Sequence, residues 1–233
     1  DSAVNNDLAQ VEPFFREEYQ LDHRISVYPK PYVAIMNGLV LGGGVGIAVA
    51  GSHRVATDST KLGMPEVGIG FSPDVGGPYY LANAPCNIGT YMALTGTPVS
   101  GADAVYVGMA DVLISDEQID ELIKRLQGID NPTQVDEILA AFHQATTAPL
   151  EVEAHWIESA FSGDSVEEIL ESVQHFANQD YPVAQQALKA LQRNSPTGMK
   201  VALEAVRRAK TLSLAETLAQ DLRTTMNAVA GTE

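Results

Sequence analysis

Residues 64–77 read MPEVGIGFSPDVGG, and the interpretation of the whole chain starts from this stretch. Its two carboxylates, Glu66 and Asp74, stand eight residues apart among residues that are mostly apolar, glycine or proline. Three consecutive glycines, residues 42–44, lie upstream, after the apolar run of residues 32–36. Acyl chemistry requires backbone amides that stabilise an oxyanion, and carboxylates that move protons or attack. The stretch and the glycines together therefore indicate chemistry at an acyl group.

The three glycines allow two interpretations. Glycine lets a ligand approach the backbone closely, and a helix that begins there would direct its free amides at that ligand. Alternatively, the glycines let a helix pack closely on a strand. The order Gly-Gly-Gly-Val-Gly-Ile, without a following Lys-Ser/Thr, is neither a dinucleotide-binding fingerprint nor a P-loop. From the glycines alone, the oxyanion and packing interpretations stay equally open.

Each carboxylate also has two interpretations. Apolar neighbours would desolvate Glu66, which raises its pKa and suits proton transfer, whereas the alternative is an exposed loop glutamate. Asp74 lies between Pro73 and two glycines, a composition that is common in simple turns. Because both carboxylates follow the triple glycine, we favour a site in which they act together.

Composition restricts the function class. The chain has 233 residues, enough for one large domain or two small ones, and 30 acidic against 14 basic residues give a net charge of −16. This charge argues against nucleic acid and anionic membranes as partners. A single cysteine, Cys86, excludes an intrachain disulfide and fits a reducing compartment. We expect a cytoplasmic protein, or a mitochondrial matrix protein if the source is eukaryotic.

The sequence offers no sign of a membrane span or a bound metal. No apolar run approaches the roughly 20 residues that a membrane helix needs. The five histidines are scattered, no CxxC surrounds the cysteine, and no GxSxG motif occurs. We therefore expect no metal and no redox cofactor.

The pattern of apolar residues along the chain changes near residue 115. Before it, short apolar segments alternate with helical ones, which predicts crossover units and a mostly parallel sheet layer. The predicted strands are residues 32–36, 54–57, 61–64 and 111–114, and the predicted helices begin near residues 8, 45, 85 and 101. After it, helical periodicity dominates, and Ser115, Ser165 and Ser213 each begin a capping-box pattern. The prediction is an α/β core at 1–115 and a helical region at 116–233.

Taken in order, these residues resemble the crotonase (enoyl-CoA hydratase/isomerase) superfamily, and most closely its 3-hydroxyisobutyryl-CoA hydrolase branch. The resemblance covers most of residues 10–115 and, more loosely, the remainder. It implies a spiral core of stacked ββα turns with a helical C-terminal region. The matching segments are FFREEY (14–19), KPYVA (30–34), NG (37–38), GGGVG (42–46), RVAT (54–57), MPE (64–66), Gly70, PDVGG (73–77), ALTG (93–96) and SPT (195–197).

The resemblance implies a ligand, an acyl-CoA thioester, and roles for five residues. The amide of Gly43 would be one donor of an oxyanion hole, with Gly42 beside it in the substrate site. Glu66 falls on a catalytic glutamate, Asp74 on the aspartate of the hydrolase branch, and Glu18 on a glutamate that contacts substrate. Hydratases carry a second glutamate where this chain has glycine at position 46. That difference favours thioester hydrolysis over addition of water to a double bond.

The expected reaction is hydrolysis of 3-hydroxyisobutyryl-CoA in valine breakdown. Glu66 would attack the carbonyl or activate water, and the sequence leaves both routes open. Glu18 would accept a hydrogen bond from the substrate's 3-hydroxyl group. The alternatives are a hydratase or isomerase of the same superfamily, and a non-catalytic acyl-CoA-binding protein.

The chain also departs from the pattern that it resembles. Members of the superfamily begin earlier, with strands and a second oxyanion amide, and the hydrolase branch continues past the equivalent of residue 230. We therefore expect this chain to be the central part of a longer protein. Between residues 31 and 110 the only basic residues are Arg54 and Lys61, few for a ligand with three phosphate groups. Assembly as a trimer or a larger homo-oligomer is expected from the resemblance.

Overall fold

A computed structural model describes the backbone of residues 8–231 and the side chains of residues 11–231. Its strands are β1 (Val33–Met36), β2 (Leu39–Leu41), β3 (His53–Thr57), β4 (Lys61–Gly63), β5 (Val99–Ser100) and β6 (Val112–Ile114). Its helices are α1 (Leu8–Ser26), α2 (Gly43–Val49), α3 (Gly77–Ala82), α4 (Ile88–Thr95), α5 (Gly101–Tyr106), α6 (Ile119–Gln127), α7 (Gln134–Phe142), α8 (Pro149–Ala160), α9 (Val166–Ala177), α10 (Pro182–Arg193), α11 (Pro196–Ala209) and α12 (Leu214–Val229). Two 3₁₀ helices, Glu66–Ile69 and Asp116–Gln118, complete the list.

The strands form two small sheets. One has the order β1-β3-β6 and is parallel throughout, whereas the other has the order β2-β4-β5 with an antiparallel β4-β5 pair. Successive strands, β1 and β2 and then β3 and β4, contribute one member to each sheet. The mixed α/β core is thus confirmed, and three of the four strand pairings are parallel as predicted, but the strands divide between two sheets and do not form one layer. Strand β2 was missed because three residues are too few to show an alternating pattern.

The second half of the described chain is helical, as predicted. Ser115 and Ser213 form full capping boxes. In each, the serine hydroxyl accepts from the amide of the third helical residue (Gln118 or Glu216), and the side chain of that residue accepts from the serine amide. At Ser165 the prediction is half right. Its hydroxyl caps the helix by accepting from the amide of Glu168, but the Glu168 carboxylate accepts from the amide of Asp164 instead.

The helical half holds the loop that follows β4. The amide of Ser195 donates to the carbonyl of Val67 at 2.9 Å, and the Asn194 side chain donates to the carbonyls of Leu94 and Thr95, also at 2.9 Å. One buried apolar cluster runs through both halves, from the sheets to α8, α9 and α11. The position of the Glu66 segment therefore depends on helices more than 100 residues away along the chain.

Candidate functional site

The triple glycine forms the entry to α2. Gly42 has φ +54°, a conformation that favours glycine, and Gly43 and Gly44 are the first two residues of the helix. The first turn of a helix leaves its amides without intrahelical partners. The backbone at Gly43 is also exposed. An amide of this kind can meet a ligand oxygen.

Two carboxyl groups lie directly against these glycines. If Gly42 were replaced by a residue with a side chain, its Cβ atom would lie 3.0 Å from Oε1 of Glu66. A Cβ atom at position 43 would lie 2.8 Å from Oε1 of Glu18. A Cβ atom on Gly44 would meet nothing within 4 Å. The atoms nearest to a Cβ atom at positions 42 and 43 would therefore be carboxylate oxygens. Close packing of α2 on a strand, the alternative from sequence, does not explain these two positions.

Glu66 begins the 3₁₀ helix after β4 and turns its side chain inward. Its Oε2 atom is buried and has no hydrogen-bond partner within residues 11–231. Burial raises the pKa of Glu66 to about 8, with a smaller contribution from the charge of Asp74, while a backbone hydrogen bond opposes the shift. Glu66 is therefore not the exposed loop residue of the alternative interpretation. Its environment suits a group that takes up a proton near neutral pH.

Asp74 lies in the turn that the sequence indicated and is also drawn into the carboxyl cluster. Its carbonyl accepts from the amide of Gly77 at 2.7 Å, which closes the turn. Its Oδ2 atom accepts a hydrogen bond from the hydroxyl of Tyr19 at 2.6 Å. Burial raises the pKa of Asp74, and the Tyr19 hydrogen bond holds it lower than burial alone would. The turn and site interpretations are thus compatible.

Helix α1 supplies Glu18 and a neighbour that sequence reasoning missed, Asp22. Burial raises the pKa of Glu18, and the charge of Asp74 adds to the shift. Asp22 is only 1% exposed, and neither of its carboxyl oxygens has a hydrogen-bond partner in the described chain. Burial, followed by the charges of Glu18 and Asp74, raises the pKa of Asp22 to about 7. A spacing of four residues places Glu18 and Asp22 on one helix face, the one local signal that pointed to Asp22.

A fifth carboxyl group comes from α12. Asp221 is 1% exposed; its Oδ2 atom accepts from the amide of Gly76 at 2.9 Å, whereas Oδ1 is unpartnered among the described side chains. Burial holds the pKa of Asp221 well above its ordinary value, and the charges of Asp74 and Asp22 add to this. Nothing in the local sequence connects Asp221 with Asp74, which lies 147 residues earlier.

The structure therefore brings the five residues predicted from sequence into one place. Gly42, Gly43, Glu18, Glu66 and Asp74 are joined there by Asp22, Asp221, Tyr19 and Thr225. The dominant electrostatic effect is burial of neighbouring acids that repel one another. Such a cluster takes up protons more readily than isolated carboxylates do, and it can pass them to a bound group.

The described residues contain neither a metal-binding cluster nor a membrane-spanning helix. No group of three or more His, Cys, Asp or Glu side chains between residues 11 and 231 is arranged to hold a metal ion. None of the described helices is long and apolar enough to cross a membrane.

Arg54, one of two basic residues between 31 and 110, forms an ion pair with Asp111 and donates to the carbonyl of Gly108.

Comparison with known proteins places this geometry in context. The family model described as enoyl-CoA hydratase/isomerase matches residues 1–233. The mitochondrial 3-hydroxyisobutyryl-CoA hydrolase of Dictyostelium discoideum is 39% identical over 224 residues, which cover 94% of this chain and 58% of that protein. The human protein of the same name is 34% identical over 226 residues with the same coverage. The chain thus spans little more than half the length of these relatives.

Two solved structures share the fold closely. One is described as a carnitinyl-CoA dehydratase from Mycobacterium thermoresistibile; it is 41% identical with a TM-score of 0.88, and the match covers 99% of this chain and 68% of that one. The other is described as an enoyl-CoA hydratase from Rhodobacter sphaeroides; it is 34% identical with a TM-score of 0.87, covering 98% and 65%. These likenesses agree with the fold that the sequence resemblance implied.

Proposed function

Because the chain belongs to the enoyl-CoA hydratase/isomerase family, we propose that the whole protein hydrolyses a short-chain 3-hydroxyacyl-CoA thioester. The proposed substrate is 3-hydroxyisobutyryl-CoA, and the products are 3-hydroxyisobutyrate and CoA, in valine catabolism. The observation that carries the proposal is the approach of Glu66 and Glu18 to the backbone of Gly42 and Gly43, with Asp74 near enough to raise the pKa of both acids. Names of relatives support the same choice.

The reaction requires a carbonyl that is polarised and two proton movements. In the proposed mechanism the Gly43 amide donates to the thioester oxygen, which becomes an oxyanion on attack. By one route Glu66 takes a proton from water as the water oxygen bonds to the carbonyl carbon. By the other route Glu66 attacks the carbon itself, giving an anhydride that water then cleaves. In both, the carbon–sulfur bond breaks, and Asp74 protonates the leaving thiolate or orients the group that does so.

Glu18 is assigned to the selection of the acyl group. Its Oε1 atom lies beside the Gly43 backbone, 2.8 Å from the point that a Cβ atom on that residue would occupy. From there it would accept a hydrogen bond from a 3-hydroxyl group. A substrate without that hydroxyl would leave Glu18 desolvated and unpaired, which costs binding free energy. CoA is then part of the substrate, and we propose that no further cofactor is needed.

A hydratase or dehydratase is the second candidate, because both close structural relatives carry such names. One observation weighs against it. The resemblance sets a hydratase's second glutamate at position 46, where a Cβ atom would come within 2.8 Å of both Asp22 carboxyl oxygens and of the Val75 Cβ. The space beside Gly46 is therefore filled from α1 rather than by a glutamate of α2. A non-catalytic acyl-CoA-binding protein stays the third alternative.

The decisive experiment measures thiol release from 3-hydroxyisobutyryl-CoA by the full-length protein. We expect Glu66→Gln and Asp74→Asn each to lower kcat by about 10²–10⁴, the usual contribution of a positioned acid or base. Asp58→Asn is the matched control, because Asp58 is an exposed carboxylate in the β3–β4 loop. Hydration of crotonyl-CoA without thiol release would contradict the hydrolase. A parent protein that neither releases thiol nor hydrates crotonyl-CoA would favour the binding protein.

A further inference from the structure

Helix α12 is linked to Asp74 in two ways, through Tyr19 of α1 and through the backbone of the turn itself. Thr225 lies 3.0 Å from the hydroxyl of Tyr19, which bonds to Asp74, and Asp221 accepts the amide of Gly76. We propose that Thr225 and Asp221 are positioning residues for Asp74, acting through the Tyr19 hydroxyl and through the Gly76 amide. The kinetic part of this inference rests on the proposed hydrolase function.

The direction of the hydroxyl chain follows from proton counting. A tyrosine hydroxyl has one proton, and at 2.6 Å the carboxylate of Asp74 receives it. In the 3.0 Å contact the Tyr19 oxygen therefore accepts, and the hydroxyl of Thr225 donates. Donation from Thr225 to Tyr19 to Asp74 polarises each bond in turn, so that the first bond strengthens the second. Thr225, although 151 residues away from Asp74 in sequence, supports its charged form.

The backbone after Asp74 needs support of its own. Val75 has φ +50°, a left-handed conformation that is strained for a β-branched residue. Gly76 follows with φ +77°, and a Cβ atom there would come 2.7 Å from Cδ1 of Leu214. Leu214 and Asp221 both belong to α12. A strained turn persists only where its surroundings over-determine it, and α12 provides an apolar contact and a hydrogen bond at Gly76.

The groups that titrate around Asp74 come from three elements. Helix α1 brings Glu18, Tyr19 and Asp22, the 3₁₀ helix brings Glu66, and α12 brings Asp221. The acids raise the proton affinity of the cluster. The Tyr19 hydrogen bond opposes that effect at Asp74. Loss of the Thr225 donor should therefore weaken this opposition and raise the pKa of Asp74 further.

The test compares two threonines of α12 in the full-length protein. Thr225→Val removes the proposed donor, whereas Thr217→Val removes a hydroxyl that is equally buried but bonds only to the carbonyl of Ser213, one turn earlier. The Asp74 carboxyl is titrated by ¹³C NMR, and kcat and KM are measured across pH. For Thr225→Val we expect a raised Asp74 pKa and, because the Asp74 carboxyl is then less firmly oriented, a 3- to 10-fold lower kcat with KM within twofold. Thr225→Ser should restore both values, and Thr217→Val should change neither.

Tyr19→Phe keeps the proposal open to refutation if Thr225→Val folds poorly, because loss of the Tyr19 hydroxyl alone should also raise the Asp74 pKa. Tyr19→Phe removes the link itself, so adding Thr225→Val to it should raise the Asp74 pKa no further. Asp221→Asn keeps an acceptor for the Gly76 amide and should retain more activity than Asp221→Ala. Equal Asp74 titrations in Thr225→Val and Thr217→Val would overturn the role of Thr225. The titration needs no thioester, so a parent protein without thiol release would contradict the proposed function and leave this test intact.

Discussion

Two regions of the molecule meet at the carboxyl cluster, and they differ in how they are built. The first runs from Gly42 to Asp74, in which glycine, Glu66 and Asp74 lie close together in sequence. The second is the pair of helices α1 and α12, which pack on each other although Tyr19 and Thr225 are 206 residues apart. The first region supplies groups that can touch a ligand. The second supplies Glu18, which is also assigned a substrate contact, and buried polar groups that hold the first region in place. Variants in the two regions can therefore separate the local motif from its support.

The largest expected effect concerns the first region and the pH dependence of the proposed activity. Glu66 must be ionised to attack or to take a proton, and burial raises its pKa to about 8. We expect kcat/KM to rise about tenfold per pH unit between pH 6 and pH 8 and then to level off. Thiol release by the full-length protein, measured from pH 6 to pH 9, checks this. A flat profile over that range would show that Glu66 does not titrate in the rate-limiting step.

The second effect concerns α1 and is a change in stability. The pKa of Asp22 is raised to about 7, above its value near 3.9 in the unfolded chain, so the folded state holds a proton that the unfolded state has lost. This contribution is complete below about pH 4 and is lost as the pH rises through about 7. A difference of about three pKa units corresponds to about 4 kcal/mol, of which about 3 kcal/mol falls between pH 4.5 and pH 8, and we expect Asp22→Asn to abolish this pH-dependent loss of stability. Urea unfolding between pH 4.5 and pH 8 measures it, and parallel curves for parent and variant would refute it.

The third effect tests where the two regions touch. A Cβ atom on Gly46 would lie 2.8 Å from Asp22 and from Val75, so Gly46→Ala should destabilise the protein by about 1–3 kcal/mol through overpacking. Gly44→Ala, two residues earlier in the same helix, meets nothing within 4 Å and should be neutral or stabilising by up to about 1 kcal/mol. The free energy of unfolding in urea decides. Equal free energies of unfolding for Gly46→Ala and Gly44→Ala would mean that α1 shifts at this contact at little energetic cost.

Much of the fold was predictable because the signals are local. Apolar runs bounded by glycine and proline predicted β1, β3, β4 and β6, and the serine patterns at 115 and 213 predicted helix starts. The division into two sheets was not predictable, because strands of two or three residues carry almost no periodicity and their partners are far away in sequence. The capping box predicted at Ser165 is incomplete, because the Glu168 carboxylate accepts from the amide of Asp164 and not from that of Ser165. The sequence alone does not determine which of the two amides the side chain reaches.

The candidate site shows the same division. From sequence we predicted a site at Gly42, Gly43, Glu66 and Asp74, because free backbone amides and carboxylates among apolar neighbours suit acyl chemistry, and the structure places these residues together. The roles of these residues stay predictions until the variants are measured. Only the tertiary structure showed that Asp22 and Asp221 join the cluster and that Thr225 reaches Asp74 through Tyr19. The physical reason is that burial and long-range hydrogen bonds are properties of packed helices, and a linear sequence does not state which helices pack together.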